Sequence, residues 1–322
     1  MCGITGIYGV LDATQHVQTV AAVGRMNAAL AHRGPDASGV WSDDRELVLG
    51  HRRLSVIDIQ ESANQPFIDG VSGDVLIFNG EVYNYRELRN ELKKGFNLQT
   101  ESDTEVVLAA LQCWGFAALD RFNGMFAFAC YNKVNKKILL VRDSNGAKPL
   151  YYGHLQGKLA FSSEIKSLLE CGFERKVDKE AFGHYYKQGY VAGHMTLFDK
   201  IRKLTPGQII QYDTRNNLRV VSNINNKEYE KGYGPDVFRI KRELNKAVEK
   251  TLMGRREIGL FLSGGMDSTL ILSLLKDVPE LDLHVFSCGY STERGKHYTY
   301  KEMGDEAYMA RRTCKEYGIP LT

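Results

Sequence analysis

"MCGITGIYG", residues 1–9, decides how the first two thirds of this chain are read. Small and apolar residues dominate 3–8, which reads as a strand, and a cysteine stands directly behind the start methionine. Cys2 has two readings. It is a small buried residue of the first strand, or it is a nucleophile that becomes the N-terminus once Met1 is removed. A thiol attacks as thiolate, and a free cysteine with a pKa of about 8.5 is little ionised at neutral pH. A new α-amino group, with a pKa of about 7.7–8.0, can take the thiol proton itself, as the terminal amine does for an N-terminal threonine. No histidine of the early strands is an obvious alternative base.

Working outward, the pattern to about residue 165 is short β segments closed by turns. Strands are expected at 3–8, 46–50, 52–57 and 74–79, with hairpins 125–131/137–142 and 149–153/158–162. Helical periodicity marks 17–31, 84–94 and 103–114. Ser102 and Glu105 have the spacing of a capping box. Antiparallel hairpins with helices grouped between them imply sheet layers covered by helices. From about 236 the texture changes to helix (236–252), apolar strand "IGLFL", glycine turn, helix "TLILSLLK", strand "LHVFSCGY" and helix "DEAYMARRTCKEYG". That alternation belongs to a parallel α/β sheet. The organisation expected is a domain at 1–212, a polar linker at 213–235 and a second domain at 236–322.

The chain has 322 residues, a formal charge of +3, 43% hydrophobic and 25% charged residues. This is ordinary globular composition; the small charge argues for neither a nucleic-acid nor a membrane partner. Six scattered cysteines form no C-x-x-C pair and the histidines lack metal-ligand spacing, so a cytoplasmic protein with reduced thiols and no metal-ligand set is expected.

Two constellations carry chemistry. In "FNGEVYN", Asn79 and Gly80 stand at the expected end of a strand, where an amide and a backbone N–H can face an oxyanion; the dull reading is an N-G turn. Glu81 and Asp103 can hold an ammonium group, and the Arg53 fork a carboxylate, a set that suits an amino-acid substrate. Separately, Glu81 and Asp103 read as ordinary charges and Arg53 as a solvated edge. In "LFLSGGMDST", Ser263, Gly264, Gly265, Asp267 and Ser268 join a strand to a helix N-terminus, a place for an anion such as a phosphate. It fits neither G-x-x-x-x-G-K-[ST] nor G-x-G-x-x-G. Asp267 beside a phosphate calls for Mg2+ between them; the plain alternative is a capped βα turn.

The ordered segments "MCGITG", "HRGPDASG", "GHRRLSVID", "NQPF", "FNGEVYNY", "ESDTEVVL", "GMFAFACYN", "RDSNGAKPLYY", "FSSEIKSLL", "TLFDKIRKLTPGQ" and "LFLSGGMDST" resemble those of glutamine-hydrolysing asparagine synthetases. The resemblance implies an α+β N-terminal-nucleophile sandwich of two antiparallel sheets between helix layers, followed by an α/β ATP-pyrophosphatase-like domain. It implies that Cys2 is the nucleophile, that Asn79 and Gly80 form the oxyanion hole, and that Arg53, Glu81 and Asp103 clamp glutamine. It further implies that Ser263, Gly264, Gly265, Asp267 and Ser268 bind pyrophosphate and that Cys288 and Gly289 line an adenine pocket. The activity implied is asparagine synthase: glutamine is cleaved through a γ-glutamyl thioester, and ammonia passes to an aspartate activated by ATP with Mg2+. Ser144, Asn145 and Ala147 depart from the family's usual residues. No second glycine/acidic motif follows the SGGMDS loop, so the ATP-binding domain is expected to be incomplete. Aspartate adenylation is then expected to need another polypeptide, or the chain is a stand-alone glutaminase or serves a different acceptor. Oligomeric state, a homodimer included, stays open.

Overall fold

The strand that begins at Gly3 is buried along its whole length, so both of its faces must be covered. In the computed structural model residues 1–43, 45–213, 217–223, 236–254, 256–288 and 306–322 are described, and the chain forms two compact units, Met1–Tyr229 and Glu230–Thr322. The first unit runs β1 (Gly3–Tyr8), α1 (Ala13–Ala28), β2 (Ala37–Ser42), β3 (Leu47–Arg53), β4 (Phe67–Ile68), β5 (Val75–Val82), α2 (Tyr85–Leu92) and α3 (Asp103–Trp114). It continues with β6 (Gly124–Asn132), β7 (Lys137–Arg142), β8 (Tyr151–Leu155), β9 (Lys158–Ser162), α4 (Ile165–Leu169), α5 (Lys179–Gln188), β10 (Ile201–Lys203), β11 (Gln208–Asp213) and β12 (Asn217–Asn223).

Two six-stranded antiparallel sheets result, ordered β10-β8-β9-β1-β3-β2 and β12-β11-β7-β6-β5-β4. The two-residue side-chain period assigns the faces. Ile4, Tyr8, Leu47, Leu49, Leu159 and Phe161 of the first sheet meet Val75, Ile77, Ala127, Ala129, Leu140 and Ile210 of the second in one core. The intervening Ile7, Val48 and Ala160 face the other way, onto Val23 and Met26 of α1 and Leu168 of α4. On the far side α3 packs on β5, which completes helix, sheet, sheet and helix layers.

In place of the expected strands 46–50 and 52–57 there is one strand, β3, which ends at Arg53 and leaves 54–57 irregular; it runs through His51 because that residue is fully buried and its Nε2 lies 3.2 Å from the Phe78 carbonyl oxygen of the other sheet. The expected strand 74–79 runs on to Val82, since Gly80 pairs with Phe126 and Val82 with Gly124. Asn79-Gly80 therefore lies inside β5 and is no turn. The capping box of α3 is half formed. Ser102 Oγ accepts from the Thr104 amide, while Glu105 accepts from the Gln99 and Thr100 amides instead of returning to Ser102. β12 lies in the stretch read as linker and pairs with β11.

The second unit comprises α6 (Val237–Thr251), β13 (Ile258–Phe261), α7 (Met266–Leu275), β14 (Leu283–Phe286) and α8 (Glu306–Tyr317). β13 and β14 are parallel, and Leu321 adds a parallel bridge to Val285. Leu262, Leu272, Val285, Ala310 and Cys314 form the core between this sheet and its helices. Gly318, with φ +67°, ends α8 in the left-handed conformation that glycine adopts without strain.

Candidate active site

Cys2 reaches its place because β1 pairs with β3 from Gly3↔Arg52 onward, which sets the N-terminus beside the residues that leave β3. The first of these, Leu54, donates its backbone N–H to Cys2 Sγ at 3.4 Å. Arg33 Nε donates to the Cys2 carbonyl oxygen at 2.9 Å and its Nη1 to Glu164 Oε1 at 2.9 Å, which holds the N-terminal backbone in position. Burial pushes the thiol up from its ordinary value, and the Leu54 N–H works against that by favouring the thiolate.

A cavity of about 100 Å³ opens beside Cys2, and Arg53, Asn79, Gly80, Glu81 and Asp103 all line it. Six residues spread over a hundred positions of sequence thus share one space. Asn79 is fully buried, and neither its amide nitrogen nor its amide oxygen has a hydrogen-bond partner among the described residues. Buried amides are nearly always paired, so an unpaired one lining a cavity points to a ligand as its partner.

The Gly80 N–H is open for a topological reason. β5 pairs with β6 on one edge, whereas on the other edge β4 reaches only Leu76 and Val75. Polar groups of alternate residues point to opposite edges of a strand. On the open edge the Phe78 N–H donates to Gln65 Oε1 at 2.6 Å and the Val82 N–H to Asp103 Oδ2 at 3.1 Å. Gly80 lies between them and points the same way, toward the cavity. Only glycine fits here. A Cβ would stand 2.3 Å from Met125 O and 2.6 Å from Phe126 Cα of the neighbouring strand.

Arg53 Nη1 donates to Gln60 O at 2.8 Å and to Asn64 Oδ1 at 2.7 Å, and Nη2 donates to Asp58 O. Three of its five N–H donors are occupied, which leaves Nε–H and one Nη2–H side by side for a carboxylate. Opposite charge is supplied by Asp103 and Glu81. Burial, then the Glu81 charge, pushes Asp103 up to about 7, and burial also raises Glu81. Asp103 is the first residue of α3, where the helix N-terminus favours its anion.

Sequence reasoning gave no role to the Leu54 N–H, Arg33, Gln65, His51 or Lys148. Lys148 is buried at the cavity and its Nζ lies 3.4 Å from Met1 Sδ. Motif position was the only signal for these residues, since each sits in a segment that carried the family resemblance.

In the second unit Ser263, Gly264 and Gly265 form the turn between β13 and α7, with Asp267 and Ser268 in the first turn of α7. Ser263 Oγ and Ser268 Oγ lie 3.1 Å apart, and Ser268 Oγ also donates to Gly265 O at 3.2 Å. Gly264 is glycine for packing and for its backbone conformation. Its φ is +75°, and a Cβ would stand 2.6 Å from Met309 Cβ of α8. Cys288 is exposed just past β14, on the same carboxyl edge of the parallel pair as this turn, the edge at which open α/β sheets bind ligands. Gly289 lies outside the described residues.

An antiparallel double sheet between helices, with a cysteine at residue 2 beside a cavity, is the architecture of class II glutamine amidotransferases. The chain belongs to that family: residues 1–222 match the glutamine amidotransferase domain, and residues 239–322 match asparagine synthase. It is 34% identical over 296 residues to asparagine synthetase [glutamine-hydrolyzing] 1 of Bacillus subtilis, covering 91% of this chain and 46% of that protein. It is 30% identical over 317 residues to amidase chry2 of Gibberella zeae, covering 91% and 45%. The chain thus spans about half the length of the curated relatives it matches. Among solved structures, glutamine phosphoribosylpyrophosphate amidotransferase from B. subtilis shares the fold, with TM-score 0.52 at 15% identity over 99% of this chain and 90% of that one. Among the described residues no helix is long and apolar enough to cross a membrane.

Proposed function

We propose that this chain hydrolyses glutamine at Cys2 and that the ammonia serves an ATP-dependent amidation with aspartate as acceptor. The observation that carries the glutaminase reading is the cavity itself. A thiol next to an N–H donor, an unpaired buried amide, an open strand N–H, a cationic fork and two carboxylates line one small space. Their charges complement an amino acid and their neutral donors an oxyanion.

In this reading Arg53 binds the α-carboxylate, Asp103 and Glu81 bind the α-ammonium, and the side-chain amide of glutamine lies at Sγ. The sulfur attacks the amide carbon, and the oxyanion that forms lies between Asn79 Nδ2 and the Gly80 N–H, a pair whose members are worth about 100- to 1000-fold each in rate. The α-amine of Cys2 takes the thiol proton and returns it to the departing nitrogen, so ammonia leaves and a γ-glutamyl thioester remains. Water then releases glutamate. Burial already holds the Met1 amine below the ordinary range for an N-terminus. The same burial would favour the free base of the Cys2 α-amine, a group that exists only once Met1 is gone.

For the second unit, the open N-terminus of α7 and the Ser263 and Ser268 hydroxyls would hold a phosphate chain, with the Gly265 N–H turning from Ser263 Oγ, 3.3 Å away, to the phosphate and Cys288 beside the nucleotide. The exposed Asp267 would share Mg2+ with the phosphates, the metal offsetting their charge. A different acceptor is the second reading; a relative named as an amidase, as similar to this chain as several named asparagine synthetases, supports it.

The test is glutamate release by the full chain from glutamine, with Cys2→Ala alongside. Cys2→Ala is expected to release none; release at the unmodified rate would end the glutaminase reading. Aspartate-dependent conversion of ATP to AMP, with and without added acceptors, tests the second half.

A further inference from the structure

The open edge of β5 is too well furnished to be only a gap in a sheet. From Ile77 to Val82 no strand among the described residues lies beside it, and three side chains from three other segments take the place of the absent neighbour. His51 of β3 approaches the Phe78 carbonyl oxygen through Nε2 at 3.2 Å, Gln65 Oε1 accepts from the Phe78 N–H at 2.6 Å, and Asp103 accepts from the Val82 N–H. Gln65 Nε2 in turn donates to Thr104 Oγ1 at 3.2 Å, at the start of the helix that carries Asp103. His51 stands two residues before Arg53 on the same strand.

We infer that Gln65 and His51 are positioning residues for catalysis, a surrogate strand neighbour that clamps both polar groups of Phe78 and so aims the Asn79 amide and the Gly80 N–H at the reacting carbonyl. Several observations converge on this assignment. Both side chains are buried, His51 completely. Phe78 is the residue directly before the proposed oxyanion donors. The anchors at the far ends of the clamp are β3, which carries Arg53, and α3, which carries Asp103. The clamp thereby ties the elements that hold the amino acid to the strand that meets the developing charge.

His51 suits its part because its burial holds it well below the ordinary histidine range, at about 3. It is neutral at working pH, with its Nε2–H free to donate to the carbonyl. Asn79 has no hydrogen bond of its own to fix its amide among the described residues, so its aim depends on the backbone beneath it. A misplacement of about 1 Å far from the reacting atoms can lose about 100-fold in rate.

The inference rests on the glutaminase reading, and the test separates the two. Glutamate release, KM for glutamine, and alkylation of Cys2 by iodoacetamide, a displacement that forms no oxyanion, are measured on the full chain. The variants are Gln65→Met, His51→Leu and His51→Gln. Gln65→Met and His51→Leu are expected to lose about 10- to 100-fold in kcat, a part of what deleting a donor outright removes. KM and the alkylation rate are expected to stay within about twofold of wild type, because they sense Arg53, Glu81, Asp103 and the nucleophile but not the oxyanion site. His51→Gln, which keeps a donor to Phe78, is expected to recover most of the kcat that His51→Leu loses. An active wild-type chain whose Gln65→Met and His51→Leu variants keep their kcat overturns the inference. So does a parallel fall of kcat, alkylation rate and substrate affinity, which marks a merely structural role. If Gln65→Met does not fold, the His51 pair decides. A wild-type chain with no Cys2-dependent glutamate release instead ends the glutaminase reading itself.

Discussion

Replacing Asn79 by leucine should make the protein more stable and nearly inactive. The side chain is 0% exposed, and both its amide atoms lack partners among the described residues. A buried polar group left unpaired costs about 1–3 kcal/mol, and leucine has the same branched outline without the polar atoms. Against this stands the slightly larger bulk of two methyl groups, a shape change that ordinarily costs less than about 1.5 kcal/mol. The balance favours a gain of about 1 kcal/mol, or about 2–4 °C in the melting of a unit of this size. The same substitution removes one proposed oxyanion donor, which should lower kcat about 100- to 1000-fold, equivalent to about 2.7–4 kcal/mol. KM should change little, since Arg53, Asp103 and Glu81 hold the amino-acid end. Thermal melting and glutamate release on the same preparation give both quantities. A loss of more than about 1 kcal/mol in stability would show that the amide is paired in the native protein, contrary to the reasoning. A loss of less than about tenfold in kcat would show that Asn79 does not face the oxyanion.

Three further outcomes are expected. Gly80→Ala should lose about 100-fold in kcat together with about 1–3 kcal/mol of stability, because its Cβ would press on the β6 backbone at 2.3 Å; glutamate release and melting check it. Asp103, raised to about 7 by burial and Glu81, keeps a proton in the folded state that the unfolded chain has already lost above about pH 4. Stability should therefore fall as pH rises from about 4 to 7, and Asp103→Asn should flatten that slope in urea titrations. Since only the carboxylate can hold an ammonium, KM for glutamine should also fall as pH rises through about 7, and in Asp103→Asn it should be high and lack this dependence. Gly264→Ala, which places a Cβ 2.6 Å from Met309 Cβ at a φ of +75°, should speed amide exchange in α7 and α8 while glutamate release stays at the wild-type rate.

Much of the protein was legible in its residues. Short β segments closed by turn signals marked β1, β6, β7 and β9, helical periodicity marked α2 and α3, and the change of texture near 236 marked a second unit. The residues that line the cavity beside Cys2 could be singled out as well, since a cysteine at position 2, an arginine fork and two carboxylates are chemically particular. Where the reading failed, it failed for an identifiable reason. His51 fell between two expected strands because a polar residue seldom lies in a buried strand. His51 is tolerated there only because Phe78, 27 positions away in sequence, offers its carbonyl oxygen. Asn79-Gly80 looked like a turn because that dipeptide favours one in isolation; pairing with β6 outweighed the local preference. Glu105 had the spacing of a capping box but found better partners in the Gln99 and Thr100 amides.

The sequence by itself determined the thiol at position 2, the positions of most strands, the two-unit order and the glycine turn before α7. Tertiary structure alone decided which backbone groups are left open. Alternation tells which side chains share a face, but says nothing about which edge of a strand has a neighbour. That β4 begins only at Phe67, that Gln65 and Asp103 occupy the N–H groups on either side of Gly80, and that Leu54 turns its amide toward Cys2 are facts about segments distant in sequence. A hydrogen-bond donor becomes a catalytic group only when every competing acceptor has been placed elsewhere, and that is settled by packing, one neighbour at a time.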